Sequence, residues 1–166
     1  MTSLGCGLAA RRERRGASRQ ALLALSCLAA VALSLPAAAR ASDATLRVTL
    51  ERWSHQIALD AHGIGLSASR RHPRRMTRRA RHFRADALRA VRVLASVPTS
   101  SANGRRAKRA ALAAFRDYAV VGRQWALSGE ARLRGRRMAA VGHARLAARY
   151  AKKANRLLVA AGKLLR

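Results

Sequence analysis

The sequence predicts an all-α protein, an antiparallel up-and-down bundle of four helices that follows an N-terminal signal peptide. Apolar residues recur at steps of three and four through four long stretches, which is the spacing of one buried helix face. Turn-forming residues separate these stretches, and no alternating run of β-branched residues indicates a strand. Four amphipathic helices on short connections are typical of an up-and-down bundle.

Residues 1–41 are predicted to be a cleavable secretory signal peptide. Five arginines precede an apolar segment, and Pro36 ends that segment before a run of small residues. Ala39 and Ala41, followed by Ser42, fit the small-x-small cleavage rule, so cleavage is expected after Ala41. The alternative is an uncleaved membrane anchor, since the apolar segment with its flanking alanines is about long enough to span a bilayer. Cleavage predicts an exported protein, either secreted or associated with the cell envelope.

Residues 42–166 are predicted to form a single α-helical domain. Both cysteines, Cys6 and Cys27, lie within the predicted leader, so this domain holds no thiol. Disulfides, thiolate metal sites and cysteine nucleophiles are therefore excluded from it.

The first two helices are predicted over about 44–69 and 73–97. In the first, apolar residues make one continuous stripe that includes Trp53. Pro73 opens the second helix, where a missing amide hydrogen costs nothing, and Pro98 closes it.

The last two helices are predicted over about 103–134 and 136–165. Gly135 is expected to end the third helix in a left-handed conformation, because this gives two hairpins with arms of comparable length. A turn at Ser128 and Gly129 is the alternative.

Two less ordered interpretations compete with the bundle, a single helical hairpin with floppy ends and full disorder. The high net charge favours disorder. Both tryptophans, Trp53 and Trp125, lie on regular apolar stripes, and each could bury roughly 150–250 Å². These stripes favour the folded bundle.

The predicted domain is strongly basic. It carries 29 Lys and Arg against 6 Asp and Glu, a net charge of about +23. Such a balance favours polyanions as neighbours, namely nucleic acid, anionic lipid surfaces or wall polymers. The pattern of a leader followed by an Ala- and Arg-rich bundle resembles small exported proteins of GC-rich bacteria, and that resemblance assigns no role to any residue.

No catalytic, metal or cofactor site is predicted, because the acidic residues are few and form no paired-carboxylate spacing. His82 and Asp86 stand four residues apart, a spacing typical of surface ion pairs on a helix. Glu51 and His55 have the same spacing. His55 and His62 are seven residues apart, which is too far for both to bind one ion without a third element. The sequence therefore predicts a protein that is not an enzyme and needs no cofactor.

Two arginine runs are the candidate contacts with a polyanion. One run opens the second helix and the other surrounds the predicted turn at Gly135, and both corners lie at the same end of an up-and-down bundle. The predicted contacts are Arg70, Arg71, Arg74, Arg75, Arg78, Arg79, Arg81, Arg132, Arg134, Arg136 and Arg137. A third basic run, over residues 105–109, is expected at the opposite end.

These features predict an exported, non-enzymatic, cationic bundle that associates with anionic cell-envelope material, either lipid headgroups or wall polymers. No transmembrane segment is expected after residue 41. One alternative is a structural or adaptor bundle that docks another protein. Nucleic-acid binding is another, although no helix-turn-helix, RNP or zinc-finger signature is present. The plainest alternative is a solvated basic surface without a dedicated ligand.

Overall fold

The computed structural model describes residues 42–166, which form four α-helices. α1 is described over residues 42–69, α2 is Pro73–Ser96, α3 is Ala102–Leu133 and α4 is Arg137–Leu164. No strand occurs in this part of the chain. The prediction of an all-α four-helix fold is confirmed, and the helix ends lie close to those expected from the sequence.

The predicted signal peptide lies outside the described residues, together with Ala39 and Ala41 of its cleavage site. Ser42, the expected first residue of the mature chain, belongs to the described part of α1. Within the described range, no helix combines the length and the hydropathy that a bilayer crossing requires.

Contacts at the helix ends define the antiparallel topology. The start of α1 lies beside the connection between α2 and α3, where the hydroxyl oxygens of Ser42 and Ser100 are 2.8 Å apart. The end of α4 returns to the same place, since Leu50 of α1 and Val159 of α4 line one groove. The connections α1–α2 and α3–α4 lie together at the other end.

A single apolar core joins residues of all four helices. The ring of Tyr118 lies 5.9 Å from the ring of Phe83 and 6.0 Å from that of Phe115 between centroids. Both phenylalanines are buried. Trp53 and Trp125 are only partly buried and pack against the margin of this core.

The backbones of α2 and α3 approach closely at two glycines of α3. A Cβ atom at Gly122 would lie 2.9 Å from the carbonyl oxygen of Ala80, and one at Gly129 would lie 3.1 Å from that of Pro73. Both distances are tighter than ordinary contacts of a methyl group with a neighbouring atom. Glycine at these positions therefore sets how near the two helices can pack.

The chain leaves α3 at Gly135, whose φ of 70° is left-handed as the sequence predicts. Its amide donates to the carbonyl of Arg132 at 3.1 Å, and the amide of Arg136 donates to that of Ala131 at 2.8 Å. These two bonds form a Schellman motif, which ends a helix by satisfying its last carbonyls. The alternative turn around Ser128 is wrong, because Ser128 lies inside α3.

α4 packs through alanines spaced seven residues apart. Ala140, Ala147, Ala154 and Ala161 are all at most 2% exposed. The seven-residue interval keeps the four methyl groups on one line along the helix, as at a single heptad position of a coiled coil. The small side chains let α4 approach its neighbours closely.

Candidate polyanion-binding site

The α1–α2 and α3–α4 corners use the same backbone motif. At the first corner Arg71 has a φ of 54°, its amide donates to Ala68 O at 3.2 Å, and the amide of His72 donates to Ser67 O at 3.0 Å. Arg71 thus occupies the left-handed position that Gly135 occupies at the second corner. An L-residue in this conformation costs roughly 1–2 kcal/mol, a cost that glycine avoids.

The two arginine runs meet in a groove between the corners. Arg71 from the first corner lines it opposite Arg132 and Arg137 from the second. Ala140 and Val141 supply an apolar side, and the groove has a volume of about 520 Å³. Residues from the two runs therefore share one concave surface.

A second groove of about 440 Å³ opens beside the first. It is lined by Arg74 and Arg75 from the first turn of α2, together with His72, Pro73 and Leu133. Because Leu133 lies at the end of α3, this groove too is lined by residues from both corners.

We use the name cationic pole for nine arginines at this end of the bundle. All nine are exposed, and none forms an ion pair with an acidic side chain of residues 42–166. The nine are Arg70, Arg71, Arg74, Arg75, Arg78, Arg132, Arg134, Arg136 and Arg137. The first turns of α2 and α4 contain no acidic residue that would offset this charge.

The other two predicted contacts have partners within the bundle. Arg81 donates from Nη2 to Glu130 Oε1 at 2.9 Å, which ties α2 to α3. The half-buried side chain of Arg79 lies across Gly63 of α1, where its guanidinium occupies the space that a Cβ would need. These two arginines contribute to packing between helices, so we leave them out of the cationic pole.

Two helix N-termini open at the cationic pole without side-chain caps. Neither His72, before α2, nor Arg136, before α4, provides a capping hydrogen bond. Pro73 has no amide hydrogen, and the amide of Arg137 donates to Gly135 O at 3.0 Å. The amides without an acceptor in their own helix are therefore those of Arg74, Arg75, Met138 and Ala139. Such amides, together with the positive end of the helix dipole, favour an anionic oxygen, and phosphate is a common occupant.

The third basic run lies at the opposite end, as predicted, and two of its members contact backbone. Lys108 Nζ donates to the carbonyls of Ala95 and Val97 at 2.7 and 2.6 Å, which satisfies acceptors at the end of α2. Arg105 donates to Ser100 O at 2.7 Å. These two cations therefore stabilise the α2–α3 connection.

The N-terminus of α3 at that opposite end is capped. Ser101 Oγ accepts a hydrogen bond from the amide of Gly104 at 2.8 Å and donates to the carboxylate of Asp43 from α1. The carboxylate also places negative charge at the positive end of the α3 dipole. The N-terminus of α3 is therefore capped by a side chain, whereas the N-termini of α2 and α4 are not.

A separate cluster joins Asp60 of α1 to His82 and Asp86 of α2. His82 Nδ1 lies 3.3 Å from Asp86 Oδ2 and 3.8 Å from Asp60 Oδ1. Burial, followed by the neighbouring Asp86 carboxylate, raises the pKa of Asp60. The four-residue spacing of His82 and Asp86 is visible in the sequence, whereas Asp60 joins them only because α1 packs on α2.

Comparison with protein-family models, curated proteins and solved structures gives no match to this chain.

Proposed function

We propose that this protein is an exported, non-enzymatic, cationic helical bundle that binds anionic material of the cell envelope through its cationic pole. The proposal rests on nine exposed arginines that lack an acidic partner within residues 42–166 and surround two uncapped helix N-termini. Guanidinium groups and free amides both bind phosphate oxygens well. The leader pattern of residues 1–41 supports an envelope location.

The conformation of Arg71 supports a role for its side chain in binding. Gly135 shows that the same turn needs no side chain at this position, yet Arg71 adopts the left-handed conformation at an energetic cost. Its side chain lines the groove shared with Arg132 and Arg137. Local strain of this kind is common where a side chain serves function.

Exposed apolar side chains beside the arginines favour a lipid surface over a wall polymer. Met138, Leu133 and Val141 are 83%, 48% and 42% exposed, and all three lie around the second corner. Apolar side chains can enter the boundary between headgroups and acyl chains while neighbouring arginines bind phosphates. Each basic residue near an anionic membrane contributes about 1 kcal/mol of attraction.

Vesicle binding by the chain from Ser42 onward tests this proposal. The chain should sediment with vesicles that contain phosphatidylglycerol, should ignore vesicles of phosphatidylcholine alone, and should detach as sodium chloride is raised. Two triple variants remove equal charge, one at the cationic pole and one on the exposed face of α4. They are Arg71→Gln/Arg132→Gln/Arg137→Gln and Arg145→Gln/Arg149→Gln/Arg156→Gln.

The pole variant should lose about tenfold or more in affinity, and the α4 variant should lose much less. Equal losses in both variants would show that total charge alone matters, which contradicts a dedicated pole. Absence of binding at low salt, or binding that salt does not weaken, would also contradict the proposal. Circular dichroism of both variants checks that the helices are intact.

Other anionic partners and the site of action are tested in parallel. Stronger binding to an isolated wall preparation than to the vesicles would identify a wall polymer as the ligand. Duplex DNA is the comparison for nucleic-acid binding. A reporter fused behind residues 1–45 should be exported, and its retention in the cytoplasm would favour the nucleic-acid alternative.

A structural or adaptor bundle is the second candidate, and one groove favours it. A mainly apolar groove of about 430 Å³ exposes part of the core between α1, α3 and α4, where Ile57, Tyr118, Trp125 and Ala151 line it. A partner side chain could enter this groove. Light scattering after size-exclusion chromatography should then show a defined oligomer or a co-purifying protein, and a strictly monomeric protein without a partner would count against this candidate.

A further inference from the structure

We propose that Asp60, His82 and Asp86 bind a divalent cation of the zinc type. Each side chain offers one ligand atom, and the three atoms lie within 4.8 Å of one another. Zinc binds imidazole nitrogen and carboxylate oxygen at about 2.0–2.2 Å, so small side-chain rotations would bring all three onto one ion. The site is independent of the cationic pole and of the function proposed for it.

A cation bound through both oxygens of Asp60, or through Oδ2 after a rotation of the carboxylate, would account for an unsatisfied buried oxygen, since Oδ1 is the oxygen that lies 3.8 Å from His82 Nδ1. Asp60 Oδ2 is buried and accepts no hydrogen bond, while Gln56 Nε2 lies 3.4 Å from the other oxygen of this carboxylate. A buried acceptor without a partner is costly, and a nearby metal ion is one of the recognised explanations for such a group. This unsatisfied oxygen belongs to Asp60, the one ligand of the three that comes from α1.

The neighbouring Arg89 pairs with the Asp86 oxygen other than the one nearest the imidazole. Arg89 Nη1 lies 3.8 Å from Asp86 Oδ1, whereas Oδ2 is the oxygen nearest the imidazole. Arg89 can therefore orient the Asp86 carboxylate from outside while Oδ2 faces an ion, as supporting groups around metal sites commonly do. Two carboxylates would balance the two charges of the cation in a domain that is otherwise strongly basic.

The donor set and its burial specify the class of ion. One imidazole nitrogen and two carboxylate oxygens, without thiolate, suit Zn²⁺ and its spectroscopic substitute Co²⁺. The side chains of Asp60 and Asp86 are 16% and 9% exposed, whereas that of His82 is 65% exposed. A fourth position on the solvent side would be open to water. Because the ligands come from two helices, the ion would also fasten α1 to α2.

Titration of the tag-free full chain with ZnCl₂ or CoCl₂ tests the site. Cys6→Ser and Cys27→Ser are included in every sample, so that thiols do not contribute. Calorimetry should show one ion per chain, and CoCl₂ should give the visible absorption of a low-coordinate site. Because the ion would bind the folded state, it should also raise the midpoint of thermal unfolding.

His82→Ala is the decisive variant, because this exposed side chain can be removed without opening the core. It should weaken ZnCl₂ binding by about 10–100-fold or more, and Asp60→Asn should do the same. His55→Ala, at an exposed histidine of α1, is the matched control and should bind as the parent does. Absence of saturable binding below about 1 mM, or full affinity in a folded His82→Ala protein, would overturn the proposal.

Discussion

Arg71 and Gly135 hold equivalent positions in two corners of one bundle. The left-handed backbone conformation at these positions costs more free energy for arginine than for glycine. Both end a helix in the left-handed conformation, with φ values of 54° and 70°. Glycine loses more conformational entropy on folding than arginine does, by roughly 0.5–1 kcal/mol, but it avoids the steric cost of about 1–2 kcal/mol. Gly135 is therefore the better residue for stability alone.

Replacing Arg71 with glycine should separate stability from binding. We expect Arg71→Gly to raise the free energy of unfolding by about 0.5–1 kcal/mol, because the steric cost disappears. The same change should weaken binding to phosphatidylglycerol vesicles, because one cation leaves the groove. Urea unfolding and vesicle sedimentation measure the two effects. Gly135→Ala is the reciprocal control, and its free energy of unfolding should fall by about 1 kcal/mol. A loss of stability in Arg71→Gly would instead show that the Arg71 side chain supports the fold.

Tyr118 makes the stability of the folded protein vary with pH in the alkaline range. Its hydroxyl donates to Asn155 Oδ1, and burial raises the pKa of Tyr118 above its ordinary value of 10.0. The folded state therefore favours the neutral phenol. The contribution of Tyr118 to the stability of the folded protein is fully present below pH 10, and it is lost as the pH rises through the pKa that Tyr118 has in the folded state.

Tyr118→Phe should therefore cost stability only while the phenol is protonated. Near pH 8 we expect a loss of about 1 kcal/mol, the usual value of a hydrogen bond. Toward about pH 11 the difference from the parent should shrink or reverse. Urea unfolding across this pH range measures it, with Tyr150→Phe as the control for general alkaline effects. A constant difference at every pH would contradict the assignment.

At the scale of elements, glycines of α3 determine how closely α2 packs. The Cβ of alanine at Gly122 would lie within 2.9 Å of two α2 backbone atoms, Ala80 O and Arg84 N. Backbone atoms cannot move aside as the end of a flexible side chain can. The two helices would have to separate or shift to accommodate a methyl group.

Gly122→Ala should destabilise the bundle by about 1–3 kcal/mol, the usual cost of overpacking a tight interface. Gly142→Ala on α4 is the matched control, because a methyl group there would meet no atom of another described helix within 4 Å. The control should stabilise by about 0.5–1 kcal/mol through higher helix propensity. Thermal unfolding of both proteins measures the contrast. Equal effects of the two substitutions would show that the α2–α3 spacing is not set at Gly122.

Periodicity in the sequence was enough to predict the helices, their apolar faces and the left-handed turn at Gly135. These features depend on residues close together in the chain. The pairing of Asp60 with His82 and Asp86 depends on which faces of α1 and α2 meet, which periodicity does not specify. The left-handed conformation of Arg71 also escaped prediction, because arginine gives no local signal for it.

At the scale of the whole molecule, the few acidic residues are distributed unevenly. Asp60, Asp86, Asp117 and Glu130 contact histidine, arginine or lysine along the helices, and Asp43 lies at the N-terminus of α3. Among residues 42–166, no acidic side chain forms an ion pair with the cationic pole. Like charges there repel one another, so the same feature that favours binding to anions opposes stability in the free protein.

The folded protein should consequently gain stability as salt screens the cationic pole. Between about 0.02 and 0.5 M sodium chloride the screening length falls well below 10 Å. We expect the unfolding midpoint to rise by about 3–5 °C, which corresponds to ~1 kcal/mol for a domain of this size. Scanning calorimetry of the chain from Ser42 onward measures this rise.

The location of the charge, rather than its total, should determine how strongly salt acts. Arg134→Gln/Arg136→Gln removes two charges from the cationic pole, and Arg145→Gln/Arg149→Gln removes two from the exposed face of α4. The first pair should raise the midpoint at low salt and flatten its dependence on sodium chloride, because it relieves repulsion where the arginines of the two corners converge. The second pair should leave that dependence nearly unchanged. If both pairs flatten it equally, repulsion is spread over the whole surface, and the cationic pole is not a distinct electrostatic feature.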